Sequence, residues 1–431
     1  MKKAKDIFLR KKILIYGLGK SGVSAYKFLK DKAKVYLFDD KFKRNSQYKN
    51  KLLTFGQITN LKFDKIIISP GIDISDCKLT KYLKKNLSNI YTDLDIFYSF
   101  HKNECITITG TNGKSTTATI LYEVLLNQKK DVRLIGNIGN PVLSEKKITK
   151  NTIFVIEASS YQLDYSKLFS SKYAMILNIS PDHLERHRNL KNYINAKFKL
   201  LDSQNKNCVS YVKKNDKFID KKLKLKKFNS KIIKVDTKKI YSFLKNIDNK
   251  YFLSETNKEN LSFIVEISKK LKIKKTVLFQ TIQKFKGLNF RQQIIFKKKN
   301  LTIINDSKST SFSSSTGILK SNSNILWLLG GINKKGDKLN LKKKDLRNTR
   351  AFIYGTNKKF FNKELKDKVR IKNFNNLEDA LKNIFQILKK EKLKQNIILF
   401  SPCAASFDSF KNFEDRGFYF NRLVKKYLNG K

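Results

Sequence analysis

"TITGTNGKSTTATI", residues 107–120, reads as the end of an apolar strand, a glycine turn, a lysine followed by hydroxyls, and the start of a helix. Glycines at such a turn let backbone N–H groups curl around an oxyanion, a lysine reaches the outer phosphates, and a hydroxyl can serve Mg2+. Gly110, Thr111, Asn112, Gly113, Lys114, Ser115 and Thr116 are therefore the candidate phosphate-binding residues. The longer pattern G-x-x-x-x-G-K-[ST] is not met, because Ile108 stands where its first glycine belongs. What remains, G-x-x-G-K-[ST], can be imitated by an accidental turn. Its context favours a phosphate loop: "ECITITG" supplies the preceding strand, and "STTATILYEVLL" a following helix with apolar residues at helical spacing. A nucleoside triphosphate is the expected ligand.

Outward from this loop, apolar strands alternate with amphipathic helices along the whole chain, as in parallel sheets covered by helices. "KILIYG", "KVYLFDD" and "KIIISPG" make a first set. A second runs from "ITITG" through "VRLIG", "TIFVIEASS" and "YAMILNIS", and a third includes "LTIINDSK", "NILWLLGG", "RAFIYG" and "NIILFSP". The expected fold is α/β in three domains: a Rossmann-like N-terminal domain over 1–92, a P-loop-type ATP-binding central domain over 93–288, and a Rossmann-like C-terminal domain over 289–431. A length of 431 residues agrees with more than one core. "KKNDKFIDKKLKLKKF" reads as a charged surface segment.

A formal charge of +56 would ordinarily suggest nucleic acid or an anionic membrane. Here the excess is mostly Lys spread along the chain, it accompanies many Asn, Ile, Phe and Tyr, and no nucleic-acid module is recognisable. Diffuse solvated lysine is the preferred reading, and no nucleic-acid partner is expected. Cys77, Cys105, Cys208 and Cys403 are scattered without a C-x-x-C pair, so neither a disulfide framework nor a zinc site is indicated. Nowhere do about eighteen apolar residues follow one another, and the short apolar stretch near the start runs into a charged glycine turn. A cytoplasmic protein without stable membrane association is expected, and a monomer.

"GLGKSG", with Gly17, Gly19 and Gly22 between a strand and a helix and Asp39 and Asp40 ending the next strand, spells the dinucleotide fingerprint. An NAD-dependent oxidoreductase is one reading, although hydride transfer has no need of a second phosphate loop. The same turn could hold the diphosphate of a nucleotide sugar. Glu157 ends the apolar run of "TIFVIEASS" beside the phosphate loop, where a carboxylate serves as a magnesium ligand or, more plainly, caps a turn. Of the three histidines, His101, His183 and His187, His183 follows a strand between Asp182 and Glu185 and is the best placed for a functional role. Pro70, Pro141, Pro181 and Pro402 each follow a strand or lie in a glycine-containing turn, where a fixed φ shapes loops at the ligand-binding end of a sheet.

Taken in order, "GTNGKST", "EASSYQL", "NISPDHLERH" and "NDSKST" resemble the Mur ligases, the ATP-dependent amide-forming enzymes of peptidoglycan synthesis. "GLGKSG", "GLNFRQQ" and "SPCAASFDSFKNFEDRG" are similar to the D-glutamate-adding branch of that family. Folylpolyglutamate synthetases share the ATP core but lack a "GLGKSG" domain of this kind. The resemblance implies that ATP phosphorylates the alanyl carboxylate of UDP-N-acetylmuramoyl-L-alanine and that the amine of D-glutamate then displaces phosphate from the acyl phosphate. Domains 1–92, 93–288 and 289–431 would then serve the UDP substrate, ATP and D-glutamate respectively.

Residue by residue, the resemblance implies that Lys114 neutralises the ATP phosphates, that Ser115 and Glu157 hold one Mg2+, and that His183 and a carbamylated Lys197 hold a second. Asn257 and Asn260 match positions near the nucleotide base, and Arg291, Asp306, Lys308 and Thr310 match residues that close over ATP. Lys20, Ser21, Asp39, Ser69 and Gly71 fall on loops matching the UDP end, and Asn137 matches a sugar-side contact. Ser406, Phe413 and Lys334 match D-glutamate contacts, with Lys335 adjacent to the last. Phe290 replaces a common histidine, a departure that leaves open whether that side chain meets the nucleotide, and serines replace the usual alanine and asparagine in "NDSKSTSFSSS". A helix through "NLKNYINAKFKLL" puts Lys197 on the apolar face with Tyr193, Ile194, Leu200 and Leu201 a turn away, and leaves Lys199 solvated. Periodicity alone also allows a packed stem whose ammonium reaches water. Desolvation exposes the neutral amine that CO2 needs, and a carbamate suits Mg2+ where an ammonium would repel it.

Overall fold

The computed structural model describes residues 7–41, 48–298, 300–334, 336–390 and 396–429. Its strands build three sheets. In the first, β1 (Lys12–Tyr16), β2 (Lys34–Phe38), β3 (Lys65–Ile68) and β4 (Ile90–Tyr91) lie in the order β2-β1-β3-β4, all parallel. Ile13, Leu14, Ile15 and Tyr16 of β1 are fully buried, which fits a parallel strand covered on both faces. Two glycines make the turn after β1. Gly17 sits at φ +92°, and a Cβ on Gly22 would lie 1.8 Å from the Gly17 carbonyl oxygen, so the helix Lys20–Leu29 approaches the strand end as only glycine permits.

The second sheet holds β5 (Cys105–Thr109), β6 (Val132–Gly136), β7 (Ile153–Glu157), β8 (Tyr173–Ile176), β9 (Val209–Lys213) and β10 (Lys231–Val235), all parallel, in the order β10-β9-β8-β5-β7-β6. β5 is flanked by β7 and β8, with Ile108 opposite Glu157 and Thr109 opposite Ile176. The loop after β5 therefore opens between the carboxyl ends of two neighbours, the place where parallel sheets bind ligands. The charged segment after β9 forms the helix Lys217–Leu225. Asp216 caps it through the N–H groups of Phe218 and Ile219, and its other oxygen accepts from the Ile179 N–H after β8 (3.0 Å).

The third sheet contains β11 (Gln293–Lys298), β12 (Leu301–Asn305), β13 (Ile325–Gly330), β14 (Arg350–Tyr354), β15 (Arg370–Phe374) and β16 (Asn396–Phe400), in the order β11-β12-β16-β13-β14-β15. Only the edge pair β11 and β12 is antiparallel. Alternate residues of β13 feed two cores: Ile325, Trp327 and Leu329 enter one, Leu326 and Leu328 the other, as period-two geometry requires of a central strand. All eleven apolar runs quoted from the sequence form strands; β4, β9, β10, β11 and β15 were not among them.

The chain divides into two compact units, one of Met1–Ile179, Lys191–Thr237 and Phe263–Thr281, the other of Ser180–Leu190, Lys238–Ser262 and Ile282–Lys431. Among the described residues, no helix is long and apolar enough to cross a membrane.

Candidate active site

The first unit assembles the phosphate loop. Gly110 adopts φ +152° and Gly113 φ +85°, and the helix Lys114–Asn127 starts directly after them. Asn178, beyond the end of β8, clasps the loop: its carbonyl accepts from the Thr111 N–H (3.0 Å), its side-chain oxygen accepts from the Asn112 N–H (2.9 Å), and its amide donates to the Asn112 carbonyl (3.2 Å). The Lys114 ammonium folds back onto the Gly110 and Thr111 carbonyls at 3.0 and 2.8 Å. Ser115 Oγ donates to Glu157 Oε2 at 2.5 Å, and Asn137 Nδ2 donates to Glu157 Oε1 at 2.6 Å. Glu157 is 1 % exposed, so these two bonds hold a buried carboxylate beside the loop. The β6 turn permits this approach, because a Cβ on Gly136, at φ +108°, would lie 2.3 Å from the Glu157 carbonyl oxygen.

Lys197 occupies the helix Leu190–Asp202 and is 1 % exposed. Its ammonium donates to the Gly110 carbonyl at 2.8 Å and lies 4.5 Å from the centre of the Tyr193 ring, whose hydroxyl is 2.9 Å from the Thr111 hydroxyl. Burial of Lys197 thus follows the periodicity, and its ammonium does not snorkel to water. Lys199 departs from expectation. It is half-buried and donates to the carbonyl of Asp164, at the end of the helix Ser160–Asp164, because a lysine stem is long enough to reach a helix-end carbonyl there.

The first sheet gathers Ser21, Asp39 and Ser69 around the "GLGKSG" turn. Asp39 accepts from the N–H groups of Leu18 (2.6 Å) and Lys41 (2.8 Å), and Ser69 Oγ donates to the Gly17 carbonyl (2.6 Å). Lys20 and Gly71 are exposed on the same set of loops. Asn137 is not among them; its amide is engaged by Glu157. Ser21 bonds the buried Asp93, whose carboxyl is pushed up to about 6, first by burial, against the lowering pull of its hydrogen bonds.

The second unit holds the remaining candidates. His183, at φ +54°, has its ring 3.4 Å from Asp182 and 3.4 Å from Glu185, and Lys334 donates to Asp182 at 2.7 Å. Pro181, Leu184, Gly336 and Asp337 line the same small cleft. Lys335 lies outside the described residues. Asn257 donates to the Tyr251 carbonyl (2.8 Å), whereas the buried Asn260 Nδ2 has no partner among the described residues. Lys308 places its ammonium 3.8 Å from the centre of the Phe413 ring, joining a residue expected on the ATP side to one expected on the D-glutamate side. Ser406 is buried in the loop after β16, and Thr310 is half-buried beyond Lys308. Phe290, at φ +62°, is 3 % exposed; its ring packs on Gly417 and lies 4.8 Å from the Phe418 ring. The ring is thus spent on the helix Phe413–Leu428.

Sequence reasoning missed Asn178 and Arg416, and it placed Tyr193 beside Lys197 without the contact of its hydroxyl with Thr111. Asn178 carried a usable signal, a polar residue just past a strand that neighbours β5. Metal-ligating clusters of three or more His, Cys, Asp or Glu are absent among the described residues. Mg2+ needs no such cluster, since it keeps several waters and takes one or two carboxylates with substrate phosphates. The contact between the Ser115 hydroxyl and the Glu157 carboxylate, two hard oxygen donors beside a phosphate loop, fits such an ion.

Residues 108–289 match the family model of the Mur ligase middle domain, and residues 11–90 that of the MurD-like N-terminal domain of Mur ligases. The chain is 31% identical over 443 residues to UDP-N-acetylmuramoylalanine--D-glutamate ligase of Rickettsia bellii, covering 97% of this chain and 98% of that protein. It is 33% identical to the protein of the same name from Rickettsia felis, over 442 residues and with the same coverage of each. Among solved structures, MurC from Thermotoga maritima aligns with a TM-score of 0.56 at 17% identity, over 98% of this chain and 100% of that one. MurF from Thermotoga maritima, solved in complex with ADP, aligns with a TM-score of 0.56 at 11% identity, over 98% of this chain and 97% of that one. These structural likenesses bear on the fold.

Asp306 supplies a pH prediction. Buried after β12, it accepts from the Gln292 N–H (3.1 Å) and Ser401 Oγ (2.9 Å), and burial pushes its carboxyl up from 3.8 to about 7 against those bonds and the charges of Arg291 and Arg416. Below pH 4 both folded and unfolded chains hold this proton; between about 4 and 7 only the folded chain does. Stability therefore falls as pH rises through that window, by a contribution on the order of 2 to 4 kcal/mol. Asp306→Asn should flatten the decline of the thermal midpoint between pH 4 and 8, leaving a residual slope from Asp93 and Asp337, both raised to about 6. An unchanged slope would show that Asp306 is ionised in the folded protein throughout.

Proposed function

The chain belongs to the Mur ligase family, and within that family we propose that it adds D-glutamate to UDP-N-acetylmuramoyl-L-alanine with cleavage of ATP to ADP and phosphate, in peptidoglycan precursor synthesis. The observation that carries this reading is the phosphate loop with its paired Ser115 and Glu157, set in a chain that resembles D-glutamate ligases from end to end. In the proposed reaction an oxygen of the alanyl carboxylate attacks the γ-phosphorus of ATP, and the bond to the leaving ADP oxygen breaks. The ammonium of D-glutamate loses a proton, the resulting amine attacks the acyl carbon, and the adduct nitrogen loses a second proton; the tetrahedral adduct collapses, the bond to phosphate oxygen breaks, and an amide remains. A free carboxylate resists this attack because oxide would have to leave, whereas phosphate leaves readily.

Lys114 swings from the loop carbonyls to the ATP phosphates, with the backbone N–H groups that open the helix Lys114–Asn127 around them. Ser115 and Glu157 would hold one Mg2+; His183 and a carbamylated Lys197 are carried over from the family resemblance as further candidate metal ligands. Mg2+ held there would supply positive charge against the transferring phosphoryl group. The set Lys20, Ser21, Asp39, Ser69, Gly71 and Asn137 serves the UDP substrate. Asn257, Asn260, Arg291, Asp306, Lys308 and Thr310 serve ATP, and Lys334, Ser406 and Phe413 serve D-glutamate. The domains follow as 1–92, 93–288 and 289–431. The reaction is placed in the cytoplasm and requires neither nucleic acid nor a second subunit.

Phosphate release measured with ATP, Mg2+, UDP-N-acetylmuramoyl-L-alanine and a panel of D- and L-amino acids should be stimulated by D-glutamate above all others. Stimulation by L-glutamate or by a diamino acid instead would overturn the assignment of substrate.

Carbamylation of Lys197 has its own test. Activity should fall on thorough removal of CO2, return on addition of bicarbonate, and be lost in Lys197→Ala but kept in Lys199→Ala. Full activity in CO2-free buffer would remove the carbamate from the account.

A further inference from the structure

Arg416, in the first turn of the helix Phe413–Leu428, is 1 % exposed. Its Nε donates to Ser307 Oγ (3.1 Å), and its Nη2 donates to two carbonyls, those of Ser307 (2.8 Å) and Ala404 (3.0 Å). Ser307 Oγ in turn donates to the Phe413 carbonyl (2.8 Å), and Asn305 Nδ2 donates to the Gly417 carbonyl (2.9 Å). Nη1 lies against the turn after β13, where a Cβ on Gly331 would come within 3.2 Å of it. One planar cation thus ties the loop after β12 to the loop after β16 and to the helix that follows. Ser307 stands between Asp306 and Lys308, and Ala404 two residues before Ser406.

An enclosed guanidinium is costly to desolvate, and an apolar side chain would fill the same space more cheaply. What an apolar group cannot do is fix two loops in one register. The fork geometry suits that task, because donors at fixed angles reach acceptors on separate segments, and lysine, a point charge on a flexible stem, lacks it.

Resting on the function proposed above, we propose that Arg416 is a positioning residue of the ligase reaction. It locks the segment bearing Asp306 and Lys308 to the segment bearing Ser406, so that the ATP side and the D-glutamate side of the second unit are aligned together. The contact of Lys308 with the Phe413 ring, 3.8 Å from its centre, lies across the same latch. Arg416 touches neither reactant and acts through the backbone of both loops.

The test uses the full chain with Arg416→Lys, which keeps the charge and loses the fork, and Arg416→Gln, which loses both. Backbone hydrogen exchange should quicken in residues 305–310 and in 403–409 together. The KM values for ATP and D-glutamate should rise together by roughly tenfold or more, the factor expected from losing charge-assisted bonds. Affinity for UDP-N-acetylmuramoyl-L-alanine should not change. Faster exchange in one loop alone, a rise in one KM alone, wild-type behaviour of Arg416→Lys, or a lowered melting midpoint with both KM values intact would each overturn the proposal. If wild-type protein releases no phosphate in response to D-glutamate, the proposed function fails, and the exchange measurement still decides whether Arg416 is the latch.

Discussion

A carboxylate buried at the tip of a parallel strand is the constraint around which the first unit is arranged. Glu157 is shielded from water and held by the Ser115 hydroxyl and the Asn137 amide, so three segments far apart in sequence must converge at one point. Convergence depends on strand order. β5 lies beside β7, which brings the helix after the phosphate loop next to Glu157, and beside β8, which brings Asn178 against the loop from the other side. The glycine after β6 then lets Asn137 approach. Changing the order of these strands would leave the carboxylate buried without its partners, at a cost far larger than a single hydrogen bond contributes.

In the second unit a buried cation has the corresponding place. Arg416 gathers the ends of β12 and β16 as Glu157 gathers the ends of β5 and β7. Both charges are met chiefly by hydroxyls, amides and backbone groups, an arrangement that fixes geometry more than it adds stability. Phe290 strengthens the second assembly. Where the resemblance places a histidine, the ring is laid on Gly417, in a backbone conformation a bulky residue adopts only when its surroundings hold it there.

Legibility in the sequence followed the range of the interactions. The phosphate loop, the "GLGKSG" turn and the buried strands were readable because glycine spacing and unbroken apolar runs are local signals. β9 and β10 were not, since "VSYVK" and "KIIKV" carry serine and lysine around a charged segment. β11 and β15 lie at the edges of their sheet, where exposed positions dilute the pattern. Asn178 and Arg416 act across 66 and 109 residues respectively, and no periodicity spans such distances. Lys197 and Lys199 show the limit within one helix. Periodicity found the buried face, but the carbonyl that draws in Lys199 belongs to another element.

The central claim is that Glu157 and Ser115 form a magnesium position beside the phosphate loop. Calorimetric titration of ATP into the wild-type protein and into Glu157→Gln, each with and without Mg2+, tests it most directly. The account predicts that Mg2+ strengthens ATP binding markedly in the wild type and little in the variant, while metal-free binding is equal in the two or tighter in the variant, which has lost a repelling charge. The same gain from Mg2+ in both proteins would contradict it and place the ion elsewhere.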